Sequence, residues 1–183
     1  MSDEIVTRRL LLRRWTENDR PGFAAINADS EVMRYFPATL SAAESDAFVD
    51  RIEEGFDRDG FGLWAVELDG RLAGYTGLSQ QKGLLTTGDC VEVGWRLARW
   101  AWGQGIATEA ALAALRCGFE DQGLTEIFSW TTETNAPSEA VMLRIGLLRR
   151  PELDFDHPRL VDWWGRRHIV YSLRSEEWAV THA

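Results

Sequence analysis

A glycine-bracketed turn between a strand-like run and a helical run sets the strongest constraint on this chain. Residues 103–110 read Gly-Gln-Gly-Ile-Ala-Thr-Glu-Ala. Before them, Val91 to Leu97 is dense in β-branched and aromatic residues. After them, Ala110 to Gln122 is rich in Ala and Leu and contains no proline. Gly103 and Gly105 let the backbone take positive φ and come close to a ligand. The amides of Gly105, Ile106, Ala107 and Thr108 then become the unpaired donors of a helix start, at the positive end of its dipole. Such a turn can hold a phosphate. It can also be a plain connection, because two glycines make an ordinary turn. No Gly-Lys-Ser/Thr follows, so this is not a P-loop, and the full Gly-x-Gly-x-x-Gly spacing of a dinucleotide fold is missing.

With 183 residues, the default is one domain spanning 1–183, large enough for a single good core. The net charge of −9 disfavours nucleic acid and anionic membranes as partners, since both reward basic patches. It suits a cationic substrate, and solubility explains it equally well. Cys90 and Cys117 show no metal-binding or disulfide spacing. The start of the chain lacks the apolar stretch of a signal peptide, and no apolar run is long enough to span a membrane. These features predict a reduced, cytoplasmic protein. Nine tryptophans read mostly as core and cleft walls. An apolar surface patch, and with it a homodimer, stays open.

Local signals order the chain. Ile5 to Trp15 reads as a first strand, and Thr16-Glu17-Asn18-Asp19 opens a helix. Ser41-Ala42-Ala43-Glu44 is a capping box that starts a longer helix to about Arg58. Asp69-Gly70 turns a hairpin between Leu63–Leu68 and Arg71–Leu78. Val91–Leu97 is the next strand, Gly105–Gln122 the main helix, and Glu126–Thr132 another strand. A short helix capped at Thr134 or Asn135 ends near Gly146. Strands near Leu147–Leu153 and Arg167–Leu173 complete the chain. Strands that come first in a block and later alternate with helices predict a mixed α/β sheet.

Trp100-x-x-Gly103-x-Gly105-Ile106-Ala107, with Asn135-Ala136-Pro137-Ser138 and Ile145-Gly146-Leu147 downstream, resembles the GCN5-related N-acetyltransferases (GNAT). The nearest likeness is to the branch that acetylates ribosomal-protein N-termini. The likeness runs from Thr7 to Leu173, and its specific part is Glu92 to Gly146. It implies one α/β domain with a mixed, mostly antiparallel sheet of about seven strands and about four flanking helices. The fourth and fifth strands of that sheet splay apart around acetyl-CoA. The resemblance puts the backbone of Gly103, Gln104, Gly105, Ile106, Ala107 and Thr108 around the pyrophosphate. It runs Trp95, Arg96 and Leu97 along the cofactor and sets Asn135 and Ser138 on its pantetheine side. The chain departs from the family at two places. Trp100 stands where Arg or Gln is often found, with Arg99 beside it. Met142 stands where many relatives have the tyrosine that protonates the leaving thiolate; Ser138 is the replacement implied.

Glu92 is the candidate general base. Strand alternation puts Glu92, Gly94 and Arg96 on one face. A carboxylate there can take a proton from an amine that is mostly protonated at neutral pH, directly or through water. It can instead pair with Arg96 or lie on a wet face. Ser138 acts as the acid or is an ordinary first-turn helix residue. Asn135 contacts the cofactor, caps its helix, or does both. The resemblance implies that a backbone amide near Gly94 or Trp95, freed where the strands splay, meets the oxyanion. His157, in a loop, can rim the acceptor pocket; His168 reads as structural. Tyr35-Phe36-Pro37 is a candidate acceptor wall. No metal is required, because a neutral amine is already a good nucleophile. The expected activity is transfer of an acetyl group from acetyl-CoA to a primary amine, first a peptide or protein N-terminus. The alternatives are a small amine, such as an aminoglycoside or polyamine, and a catalytically silent acyl-CoA sensor.

Overall fold

The structure, a computed structural model, describes residues 4–182. Nine strands form one sheet: β1 (Glu4–Val6), β2 (Leu10–Arg13), β3 (Leu63–Leu68), β4 (Arg71–Leu85), β5 (Gly88–Leu97), β6 (Glu126–Thr132), β7 (Leu148–Arg149), β8 (Phe155–Asp156) and β9 (Arg167–Arg174). Their order is β1-β2-β3-β4-β5-β6-β9-β7, with β8 also paired to β9. Every pairing is antiparallel except β5 with β6. The helices are α1 (Arg20–Ala28), α2 (Ala42–Asp59), α3 (Ile106–Arg116, continued by a π turn at Cys117–Asp121), α4 (Ala136–Arg144) and α5 (Ser175–His182).

The expected first strand is broken in two. Glu109 of α3 draws the turn between β1 and β2 out of line. The Thr7 hydroxyl donates to Glu109 Oε1 at 2.7 Å, and the Arg9 amide to the same oxygen at 3.0 Å. Arg9 Nε reaches Glu109 Oε2 at 2.7 Å. Local alternation carries no trace of a contact a hundred residues away. At the other side, the strand expected near Leu147–Leu153 shrinks to Leu148–Arg149, because Pro151–Leu153 forms a 3-10 turn. The β4–β5 hairpin is longer than its apolar run, extending to Leu85 and Gly88.

The core lies between the sheet and its helices, and Trp64, Phe23, Leu12, Leu78, Ile106 and Ile127 are fully buried in it. Ser41 caps α2: its hydroxyl oxygen accepts from the Glu44 amide, and Glu44 returns the bond to the Ser41 amide at 2.8 Å. Helices α1 and α2 pack against one another on one face, and α3 packs against β4 and β5.

The parallel pair makes the cleft. β5 and β6 are in register only at Val91–Ile127 and Glu92–Phe128. Beyond that point β5 runs on to Leu97 and β6 to Thr132 without pairing each other. This is the splay the resemblance implies, and Glu92 stands at its fork.

Candidate active site

A cleft of about 850 Å³ opens from the fork. One wall is β5 from Gly94 to Leu97 and the turn into α3. The opposite wall is β6 from Ser129 to Thr132 with α4. The segment Glu31–Pro37 and the loop holding His157, Leu160 and Trp163 also line it. Nearly all the residues expected from sequence converge here: Glu92, Trp95, Arg96, Leu97, Gly103, Gly105, Ile106, Ala107, Thr108, Asn135 and Ser138.

Gln104 is the exception. Its side-chain amide turns back to donate to the Trp100 carbonyl at 2.6 Å. Its own carbonyl accepts from Arg9 Nη1 at 2.8 Å, so Arg9 braces the turn from behind while holding Glu109. Gly103 and Gly105 both adopt the left-handed conformation, at φ 71° and 76°. Gly105 is the N-cap of α3, and the turn from Trp102 to Gly105 is exposed. Ile106 buries its side chain in the core while its residue borders the cleft. The donor set is therefore backbone amide at a helix start, open to solvent and free of side-chain bulk. That is the chemistry a pyrophosphate needs, so these residues fit acetyl-CoA.

Trp100 and Arg99, at the first departure from the family pattern, are engaged elsewhere. Arg71 stacks over the Trp100 ring at 4.2 Å, and Arg99 pairs with Asp29 at 2.8 Å.

The Glu92 carboxyl is half-buried at the floor of the cleft. Its Oε2 accepts from Gln81 Nε2 at 2.9 Å, and Gln81 also donates to Ser79 Oγ at 2.9 Å. Ser79 is the cross-strand partner of Glu92. Burial pushes the Glu92 pKa up to about 8, because desolvation disfavours the charged form. Sequence reasoning missed Gln81 because the apolar part of β4 ends at Leu78, ahead of Ser-Gln-Gln-Lys-Gly. Glu92 does not pair with Arg96.

The Arg96 side chain is held within the protein at the edge of the cleft. Its side chain is buried, donates from Nη1 to Asn27 Oδ1 at 2.6 Å, and lies over the Phe36 ring at 4.2 Å. Its Nη1 is engaged by Asn27, and its Nε is buried without a partner.

On the opposite wall, Asn135 caps α4. Its Oδ1 accepts from the Ser138 amide at 3.3 Å, and its Nδ2 donates to Thr131 Oγ1 at 2.8 Å. Ser138 lines the cleft, and its hydroxyl makes no hydrogen bond among the described residues. Met142 is only 1% exposed and belongs to the core.

Both histidines reach the cleft. His168 stacks on Phe155 with ring centroids 5.3 Å apart, and its Nδ1 lies 2.8 Å from the Arg166 carbonyl. A carbonyl only accepts, so that nitrogen carries the proton and Nε2 keeps a lone pair. The His157 ring lies 5.5 Å from that of His168. Burial lowers the pKa of both, so both are neutral at neutral pH. His168 is thus held in β9 by stacking and a backbone hydrogen bond while it borders the cleft.

Comparison with known proteins agrees with this geometry. The acetyltransferase (GNAT) domain matches residues 9–148. An N-acetyltransferase of Bacillus subtilis, YnaD, is 30% identical over 175 residues, covering 95% of this chain and 98% of that protein. An FsC-acetyl coenzyme A-N(2)-transacetylase of Aspergillus fumigatus is 31% identical over 125 residues, covering 65% of this chain and 52% of that protein. Among solved structures, a GNAT-family acetyltransferase from Bacillus anthracis superposes with a TM-score of 0.76 at 28% identity, covering 95% of this chain and 99% of that one. An acetyltransferase from Agrobacterium tumefaciens gives 0.79 at 24% identity over 93% and 94% of the chains. A splayed β5–β6 pair, a glycine turn at a helix start and a family match over most of the chain lead to one conclusion: the chain belongs to the GNAT acetyltransferase family and is an N-acetyltransferase.

Proposed function

We propose that the protein transfers an acetyl group from acetyl-CoA to a primary amine, with a peptide or protein N-terminal α-amine as first acceptor. Glu92 at the fork of the splayed strands carries this reading. An N-terminal amine has a pKa near 7.7–8.0, in the range to which the half-buried Glu92 carboxyl is raised, whereas a lysine-like alkyl amine lies near 10.4. Proton transfer to Glu92 is less uphill from an α-amine than from an alkyl amine.

The roles follow from position. The Gly103–Thr108 turn holds the diphosphate, and Asn135 keeps α4 in place beside the pantetheine arm. Acetyl-CoA supplies the activated acetyl group. Glu92, ionised, takes a proton from the amine and hands it to water. The edge of β5 near Gly94 and Trp95, no longer paired to β6, presents backbone amide to the oxygen that becomes negative. The Ser138 hydroxyl relays a proton to the departing sulfur and takes in its place the second proton that the amine nitrogen sheds as the amide forms. A free thiol has a pKa of roughly 8.5, so that last step needs little help. The name of the Aspergillus relative, which contains acetyl coenzyme A, supports the donor.

Thiol release from acetyl-CoA, measured with N-terminal peptides and alkyl amines side by side, tests the proposal. Release with peptides at a higher kcat/KM is expected. Release with neither would overturn it.

A further inference from the structure

Arg96 is the anomaly of the cleft. The half-buried arginines elsewhere are matched to acids: Arg9 to Glu109, Arg13 to Asp19, Arg14 to Glu53, Arg149 to Asp154. Arg96 is more buried than any of these, at 8% exposed, and no carboxylate among the described residues pairs with it. Its single hydrogen bond goes to the neutral Asn27, whose own amide is spent on Ser45 at 2.9 Å. Its Nε is buried without a partner, and Nη2 makes no hydrogen bond among the described residues. Aromatic faces surround it: Phe36 at 4.2 Å, Tyr75 at 5.5 Å and Phe48 at 5.6 Å. They ease the desolvation of a cation without neutralising it. An arginine cannot shed its proton to escape burial. A buried charge with unsatisfied donors is costly unless something completes it.

Its place says what would. Arg96 borders the same cleft as Glu92 and lies four residues along the same strand face, about 13 Å at the strand rise. Gly94 between them leaves the floor open; a side chain there would come within 3.9 Å of the Glu92 carboxyl. Nη2, which makes no hydrogen bond among the described residues, is the donor left for a carboxylate, with Nε buried behind it. The Phe36 ring over Arg96 belongs to the segment between α1 and α2, which also lines the cleft.

We infer that Arg96 is an anion site for the acceptor: the amine acetylated in this cleft carries a carboxylate, held by Arg96 while its amino group faces Glu92. The inference rests on the proposed transfer to an amine and narrows the acceptor to amino acids and to peptides with an acid near the amine. It also gives Glu92 and Arg96 complementary tasks. The two ends of one acceptor are read by opposite charges, and a plain amine finds only one of them.

The test uses the whole protein with CoA bound, titrated calorimetrically with ω-amino acids of differing chain length and with the matching amides. At least one acid should bind about tenfold or more tightly than its amide. The preference should vanish in Arg96→Met and partly survive in Arg96→Lys. With acetyl-CoA, Arg96→Met should raise the KM of the acid-bearing amine more than it lowers kcat. Equal binding of every acid and its amide to the wild type would overturn the inference, and needs no variant to fold. A variant that binds CoA poorly yet keeps the acid preference would overturn it too, assigning Arg96 to the cofactor. Thiol release without acid preference defeats this inference alone. Acid preference without thiol release from any amine defeats the transfer reading and leaves the anion site standing.

Discussion

Gln81 Nε2 donates a hydrogen bond to Glu92 Oε2 across the β4–β5 hairpin at 2.9 Å. The donor favours the charged carboxylate against the burial that disfavours it. Gln81→Ala removes the donor, so the Glu92 pKa should rise further. The acidic limb of kcat/KM against pH should move upward, and activity at neutral pH should drop several-fold while activity at high pH recovers. An unmoved limb would show that Gln81 does not govern the base.

The folded state binds the Glu92 proton more tightly than the unfolded chain, with a pKa raised from 4.5 to about 8. Stability from this group is complete below the lower value and is lost as pH rises through the upper one. Glu92→Gln carries no such dependence. Its melting temperature relative to wild type should therefore rise between about pH 5 and pH 9. A constant difference across that range would mean the carboxyl is well solvated.

Gly105 holds φ at 76° as the N-cap of α3. A valine there must take a left-handed conformation, costing about 1–2 kcal/mol. Its branched side chain would also press on the Arg9 guanidinium, a nitrogen of which lies 3.6 Å from a Cβ at this position, and so disturb the brace behind the turn. Gly105→Val should lower the melting temperature and weaken acetyl-CoA binding by about tenfold or more, equivalent to ~1.4 kcal/mol. Calorimetry giving wild-type affinity in a folded variant would remove the phosphate cradle from the account.

Ser138 contributes its amide to the Asn135 cap, not its hydroxyl. Ser138→Ala therefore leaves the cap intact and should leave the melting temperature unchanged. A modest fall in kcat with unchanged acetyl-CoA affinity is expected if the hydroxyl protonates the thiolate. Full turnover with a lowered melting temperature would make Ser138 structural.

Particular residues show how far the sequence could be read. The glycine turn, its helix and the strand before it were legible because Gly103, Gly105 and the run after them are local signals. The splay was not, since periodicity says which face a residue takes but not where Val91 stops pairing with Ile127. The break of the first strand came from Glu109 gripping Thr7 and Arg9, a contact that no short window contains. Glu92 and Arg96 could be placed on one face by alternation. Their opposite fates could not be read, because Gln81 sits past the apolar run of β4 and Phe36 and Asn27 arrive from elsewhere in the chain. Asn135 was readable as a cap from its type, and the cap is what forms.

The central claim is that Glu92, at the fork, deprotonates the acceptor amine. Thiol release by Glu92→Gln against wild type, with acetyl-CoA and an N-terminal peptide across about pH 6 to 9, tests it most directly. The account predicts a kcat about 10²-fold lower and loss of the rise in wild-type activity through about pH 8, with acetyl-CoA binding near normal. Unchanged turnover and an unchanged pH profile would contradict it and place the deprotonation elsewhere.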